Sequence, residues 1–534
     1  MLIDAAQIED GSTVDADLCI VGGGLAGLAL ASVFLDTDSR VVLLESGPLG
    51  EDPEADDLSE GTSTVHPSVP LSESAPRRLG GAAETWGAWC RPMEDIDFEE
   101  RDWPWSGWPI SGGELAPYFQ KALEYLEMSD RGFTGRAWAD GLPPLYRHIQ
   151  DDTGLLVGVW QESPLAPISE RVAVGLEAAQ NLDVHLGATA LEIRTRPDGD
   201  RVIGIEAGTL NGKRFSVQAH QYVLAGGTLG TVRLLLASRD RSEAGVGNEH
   251  GMVGRFFAEH PHIVAGRITL SRANGRPRFP AIDRGLGGTL ARIEMERPKS
   301  GIRAGIYLGE DVRRREGLLN VIAHLRPPSV EPPRVALEFF RELRHKNLKK
   351  MLKGLPGLLR QFPEVVSVVY RRLLKRPRRL ELYVQTETLP NPDSRVVLSD
   401  EKDRFGMPRA ELQWHIGARD KEQVARTVEL MGDELEAMGL GSLELEPWLS
   451  DSGEFWSSEP FGGLHLMGTT RMSVVPEEGV VDPAGRVHGV DNLWIVGPSV
   501  FPTYGAANPG MTIVATALRT ADQVAQVLAG PDLG

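Results

Sequence analysis

The chain has 534 residues, 41% hydrophobic and 25% charged, a globular composition with length for about two to four structural units. Its net charge of −19 argues against general nucleic-acid binding, and two cysteines exclude a disulfide scaffold, a cysteine-built metal site and a Cys-x-x-Cys-His haem attachment. No apolar run approaches the length of a membrane span and no secretory leader is readable, so a cytoplasmic protein without a transmembrane segment is expected.

Asp17 to Val21 reads as a short apolar strand running into Gly22-Gly23-Gly24-Leu25-Ala26-Gly27, with an apolar helix over Leu28 to Leu35. A second strand, Arg40 to Leu44, ends in Glu45-Ser46, and Glu45 stands eighteen residues after the last glycine. Glycines in this spacing permit a tight turn, let backbone approach a pyrophosphate and let helix pack on strand, while the acidic residue suits a ribose diol. A glutamate there disfavours a 2′-phosphate, which leaves FAD or NAD.

A polar stretch runs to about Pro76, and then Gly80-Gly81, Thr85 and Trp86 form a small-residue segment whose backbone can pass close to a planar ligand. Five of the eleven tryptophans lie between Trp86 and Trp108, and Glu114 to Glu127 has helical spacing. Strands are expected at Val184 to Leu186, Ala190 to Arg194 and Val202 to Glu206. Gln221 to Ala225 then leads through Gly226-Gly227 into another helix, so strand, glycine turn and helix recur far from the first. The pattern predicts an α/β fold: a discontinuous Rossmann-like domain over 1–258 and 460–534, with a loop excursion about 50–160. A second domain is predicted as an insert over 259–459.

Within the insert, Leu382 to Gln385 and the segment from Arg395 read as strands joined by a turn. Residues 331–379 form a basic helical segment, with fourteen Lys or Arg against three Asp or Glu from Arg334 to Arg379. Two readings stand for it: solvated helices that balance an acidic body, or a docking surface for an anionic lipid, carrier protein or acidic substrate. At the C-terminal end, Gly463-Leu-His465-Leu-Met-Gly-Thr-Thr-Arg471 precedes a buried strand at Asn492 to Val496 that ends at Gly497. Asn508-Pro509 then opens a helix to Val527; proline suits the first helical position and asparagine is a good cap.

In this order, the segments at Gly22 to Gly27, Gly80-Gly81, Ala225-Gly226, Pro390 to Val396, His465 and Asn508 resemble the glucose-methanol-choline (GMC) oxidoreductases. The His465 and Asn508 strings, with Gly497 where many members carry Asp, are most similar to the pyranose oxidase and glycoside oxidase branch. The resemblance implies that the insert is an α+β substrate domain, a β-sheet flanked by helices. It also implies an FAD-dependent oxidation of a hydroxyl to a carbonyl on a sugar, glycoside or polyol, with oxygen or a quinone as electron acceptor. A non-redox lyase of the same fold and oxidation of a non-sugar alcohol are the alternatives. By the same resemblance His465 is the base and Asn508 the second polar group at the reacting carbon. Gly22, Gly24, Leu25, Ala26, Gly27, Glu45 and Ser46 would hold the ADP half, with Ala190 and Gly226 on its adenine side. Gly81, Thr85, Trp86, Gly497, Pro509 and Met511 would meet the rest of the cofactor. Thr85 stands where some pyranose oxidases carry a flavin-linking histidine, so FAD is expected to be non-covalent.

Overall fold

The computed structural model describes residues 1–64, 69–143, 145–149, 154–271, 301–326, 379–451, 456 and 463–530. The basic segment read over Arg334 to Arg379 lies outside the described residues except for Arg379 itself.

The fold is α/β, and three sheets organise the described residues. The first runs, in spatial order, Leu2–Asp4, Leu182–Leu186, Val41–Glu45, Thr13–Val21, Arg214–Leu224, Val202–Gly208 and Thr189–Thr195, with Leu493–Ile495 also pairing to Arg214–Leu224. Its first five strands and Leu493–Ile495 are parallel, and the last two form an antiparallel extension. Thr13–Val21 and Val41–Glu45 end in apolar runs because helices cover this sheet; Leu18, Ile20, Leu43 and Leu44 are buried. The helix after the first strand begins at Leu25 rather than Leu28, since Gly24 already accepts the N–H of Leu28 at 2.9 Å.

Two glycines make that turn possible. Gly22 sits at φ +111, and a Cβ there would lie 2.6 Å from the carbonyl oxygen of Ala225. A Cβ on Gly27 would collide with the carbonyl oxygen of Gly22. The helix Gly227–Ala237 follows Arg214–Leu224 in the same way, and Gly510–Leu528 packs against both Leu25–Val33 and Gly112–Tyr125.

The second sheet is antiparallel: Gly441–Leu445, His262–Leu270, Arg379–Thr386, Val321–Arg326, Ile302–Leu308, Leu155–Glu162 and Trp89–Cys90. A third sheet joins Arg395–Lys402, Pro408–Gln413 and Gly61–Ser63. The segment 50–160, expected as an excursion of the first domain, therefore supplies strands to the other two sheets. Leu155–Glu162 pairs with Ile302–Leu308 along its whole length, and that register ties it to the insert. Among the described residues, no helix is long and apolar enough to cross a membrane.

Candidate active site

The two glycine turns open onto one cavity of about 500 Å³, within the range of about 300–1,000 Å³ usual for small-molecule sites. Gly22, Gly24, Leu25, Ala26, Glu45 and Ser46 line it. So do Gly81, Thr85, Trp86, Ala190, Gly226, Gly497 and Pro509, together with His465 and Asn508. Gly27 and Met511 do not. Gly27 is consumed by helix packing against the Gly22 turn, and Met511 is buried on the inner face of the C-terminal helix.

Glu45 does more than end a strand. Its Oε2 accepts the N–H of Gly23 at 2.8 Å and its Oε1 accepts the N–H of Gly47 at 2.9 Å, so the carboxylate ties both turns that border the cavity. Burial pushes its pKa up, while the Gly47 and Gly23 amides and nearby Arg77 pull it down. Arg77, unremarked in the sequence, also lines the cavity and donates to Ser46 Oγ at 3.1 Å and Ser59 Oγ at 2.9 Å.

The residues present fit an FAD dinucleotide. Gly24 is extended (φ −79, ψ −175), and a Cβ there would meet no atom within 4 Å, so the turn leaves open space on the cavity side. The indole N–H of Trp86 is buried without a partner among the described residues. Pro509 and Gly510, at the start of a 19-residue helix, also line the cavity, and the first amides of a helix favour negative charge beside them. Gly24→Val is expected to change the stability of the apoprotein by under about 1 kcal/mol. It should weaken FAD about 10- to 100-fold, the effect of overfilling a packed contact by about 1–3 kcal/mol. Flavin titration of the apoprotein checks this; wild-type affinity would contradict placing a dinucleotide against the turn.

His465 is positioned by pairing on both sides. Met467 and Ala258 exchange backbone hydrogen bonds at 2.9 and 3.0 Å, which lays residues 465–467 beside 258–260. Thr228 Oγ1 donates to the Leu466 carbonyl at 2.6 Å and Thr469 Oγ1 donates back to the Thr228 carbonyl at 3.0 Å, so the second glycine-helix turn clamps the same segment. In that frame His465 Nε2 lies 3.3 Å from Asn508 Nδ2, and its Nδ1 lies 3.0 Å from His260 Nδ1. His260 Nε2 in turn lies 2.8 Å from the Gly505 carbonyl oxygen.

The reading of Asn508 as a helix cap is corrected. The N-cap is Pro509, whose carbonyl accepts the N–H of Ile513 at 2.8 Å, while the Asn508 amide turns to His465 instead.

Sequence reasoning used Glu259 only as a domain boundary and missed His260 and His262. Glu259 Oε1 accepts the backbone N–H of His465 at 2.9 Å and of His260 at 3.1 Å. The rings of His262 and His465 have centroids 5.9 Å apart. The signal available was Glu-His-Pro-His at 259–262, running into the strand His262–Leu270. Burial lowers the His465 pKa to about 4, and burial followed by the proximity of His465 takes His260 well below its ordinary value. Burial raises Glu259 to about 7 against the pull of its two backbone N–H partners. Among the described residues no group of three or more His, Cys, Asp or Glu side chains could hold a metal ion.

The loop carrying Asn508 is pinned from several directions. Trp108 Nε1 donates to the Thr503 carbonyl at 2.9 Å, Gln385 Nε2 to the Ala506 carbonyl at 2.9 Å, and the Gly505 N–H to Glu387 Oε2 at 3.1 Å. A rigid loop of this kind holds a polar group in place for a reaction at the cavity wall.

Two family models, both described as GMC oxidoreductase, match residues 170–262 and 390–517. Those stretches contain Glu259, His260, His465 and Asn508. The chain is 23% identical to the fructose dehydrogenase large subunit of Gluconobacter japonicus across 96% of this chain and 98% of that protein. It is 33% identical to a C-glycoside 3-oxidase of Arthrobacter globiformis over 24% of this chain and 23% of that protein. Among solved structures, pyridoxine 4-oxidase from Mesorbium loti superposes with a TM-score of 0.57 at 19% identity, covering 95% of this chain and 98% of its own.

Proposed function

The chain belongs to the GMC oxidoreductase family, FAD-dependent enzymes that oxidise alcohols, and we propose that it converts a secondary hydroxyl of a sugar, glycoside or related polyol to a carbonyl. The observation that carries this reading is His465 Nε2 and Asn508 Nδ2, 3.3 Å apart on the wall of the cavity that the glycine fingerprint lines.

FAD, once bound, would supply the acceptor for the C–H hydride, and Thr85 offers it no covalent link. His465 takes the hydroxyl proton at Nε2, and Asn508, which cannot titrate, orients the substrate oxygen by hydrogen bonding. The Glu45 turn and Arg77, which line the cavity, would hold the ADP half. The sugar dehydrogenase and glycoside oxidase relatives support a carbohydrate-like substrate.

Mixing the holoenzyme anaerobically with free pyranoses, aryl glycosides, aliphatic alcohols and sterols tests the class. Loss of the flavin absorbance with pyranoses or glycosides, and a keto-sugar product, is expected. Bleaching by aliphatic alcohols or sterols alone would overturn the sugar assignment. Readmitting oxygen or a quinone then distinguishes the electron acceptors by which restores the yellow form.

The pH dependence has a definite sign. A histidine held down to about 4 stays neutral, and competent as a base, at every pH above that value. Flavin reduction is therefore expected to stay level from about pH 6 to 5 and to fall only nearer 4, whereas an ordinary histidine would lose activity below about 6.5. Stopped-flow reduction rates across this range check the profile; an acid limb near 6.5 would contradict it.

A further inference from the structure

We propose that His260 fixes the tautomer of His465, so that the proton-accepting lone pair stands on Nε2 beside Asn508; the inference rests on the reading of His465 as the base. Proton counting starts from a group with no choice. The Gly505 carbonyl can only accept, and at 2.8 Å it requires a hydrogen on His260 Nε2. A neutral imidazole carries one N–H, so His260 Nδ1 is bare.

That bare nitrogen faces His465 Nδ1 at 3.0 Å. Two bare nitrogens at this distance would repel, so His465 holds its hydrogen on Nδ1 and donates it to His260. Nε2 of His465 is left with its lone pair, which accepts from the Asn508 amide N–H at 3.3 Å. The donors thus run one way, from Asn508 through His465 and His260 to the Gly505 carbonyl.

Both rings are neutral because burial disfavours their charged forms and, among the described residues, no carboxylate reaches their nitrogens. Glu259 Oε1 is engaged by the two backbone N–H groups. Among the described residues, the other titratable groups facing the pair are Tyr504, with its ring centroid 4.9 Å from that of His260, and His262, 5.9 Å from His465.

The consequence is chemical. With the opposite tautomer, Nε2 would present an N–H to the substrate hydroxyl and could not take its proton. With this one, the substrate hydroxyl takes the place of the Asn508 N–H on the single Nε2 lone pair, the substrate O–H bond breaks, an N–H bond forms at Nε2, and the resulting positive charge is stabilised by the Nδ1–H···Nδ1 bond to His260. A carboxylate in that place would raise the basicity of His465 strongly, whereas a neutral histidine orients the ring and raises its basicity far less. His260 is a positioning residue.

The two amide variants separate this role from a structural one. In His260→Asn the side-chain oxygen stands near the position of Nδ1 and accepts from His465, but the link to Gly505 is lost. In His260→Gln the amide N–H reaches toward Gly505, but nothing accepts from His465 Nδ1. The Asn variant is expected to keep kcat within about tenfold and the Gln variant to lose about 10²-fold, with KM and FAD content of both near wild type. The reverse order, or equal rates, would overturn the proposal. Independently, ¹⁵N spectra of histidine-labelled wild-type holoenzyme should show His465 protonated at Nδ1 and bare at Nε2; the opposite pattern would overturn it even if neither variant folds. Failure of the base reading itself would show separately, as a wild-type rate in His465→Ala with the ¹⁵N pattern unchanged.

Discussion

His465→Ala is expected to slow anaerobic flavin reduction by about 10²- to 10⁴-fold, the usual contribution of a general base, while FAD content stays at the wild-type level. The separation follows from geometry. The groups that would hold the dinucleotide, from the Gly22 turn to Glu45 and Arg77, take no hydrogen bond from the His465 ring, whose partners are Asn508 and His260. Removing the ring also leaves His260 Nδ1 without its donor, which costs about 1–3 kcal/mol of stability as an unsatisfied buried acceptor. A melting curve detects that loss, and stopped-flow absorbance detects the rate. A wild-type rate would remove His465 from the chemistry.

Glu387→Ala is expected to destabilise the folded holoprotein by about 3–5 kcal/mol, the cost of breaking a buried ion pair by removing one member. Glu387 Oε1 accepts from Arg101 Nη1 at 2.9 Å and from the Asn320 N–H at 2.8 Å, and Oε2 accepts from the Gly505 N–H. Arg101 and Glu387 are both almost fully buried, with side chains 8% and 2% exposed, so the guanidinium would lose its close partner and keep, among the described carboxylates, only Asp97 Oδ1 at 3.9 Å. Asn320 Nδ2 also donates to Asp97 Oδ1 at 3.1 Å, and the Thr503 hydroxyl donates to the Asp97 carbonyl at 2.7 Å. The loop that presents Gly505 to His260 and Asn508 to His465 therefore hangs on this cluster. Denaturant unfolding in excess FAD measures the effect, and a loss below about 1 kcal/mol would contradict the assignment of the cluster as the anchor of the loop.

The parts legible in the sequence were those whose physics is local. The Gly22 to Gly27 turn announces itself because its conformation and close contacts require glycine, and Glu45 follows at the end of the next strand. His465 and Asn508 stood out through their flanking strings. What escaped depends on contacts between distant segments. His260 meets His465 across 205 positions, and nothing in Glu-His-Pro-His fixes which ring nitrogen faces what. Asn508 before a proline satisfies every local preference for a cap, yet a partner 43 positions away claims its amide. Helical spacing identified the buried stripe of Gly510–Leu528 without saying which of its residues borders the cavity, and Met511 turned inward while Ile513 lines it. Leu155–Glu162 is an apolar run whose sheet is decided by pairing with Ile302–Leu308, which periodicity cannot report.

The central claim is that this cavity couples removal of a hydroxyl proton by His465 to oxidation of the same carbon on a carbohydrate. A single anaerobic turnover measures it most directly: holoenzyme mixed with a slight excess of a pyranose or glycoside that bleaches it, with absorbance followed and the sugar recovered. One keto-sugar per bleached flavin is expected. A sugar cleaved or rearranged while the flavin absorbance stays unchanged would contradict it, and would assign His465 to acid-base chemistry without oxidation.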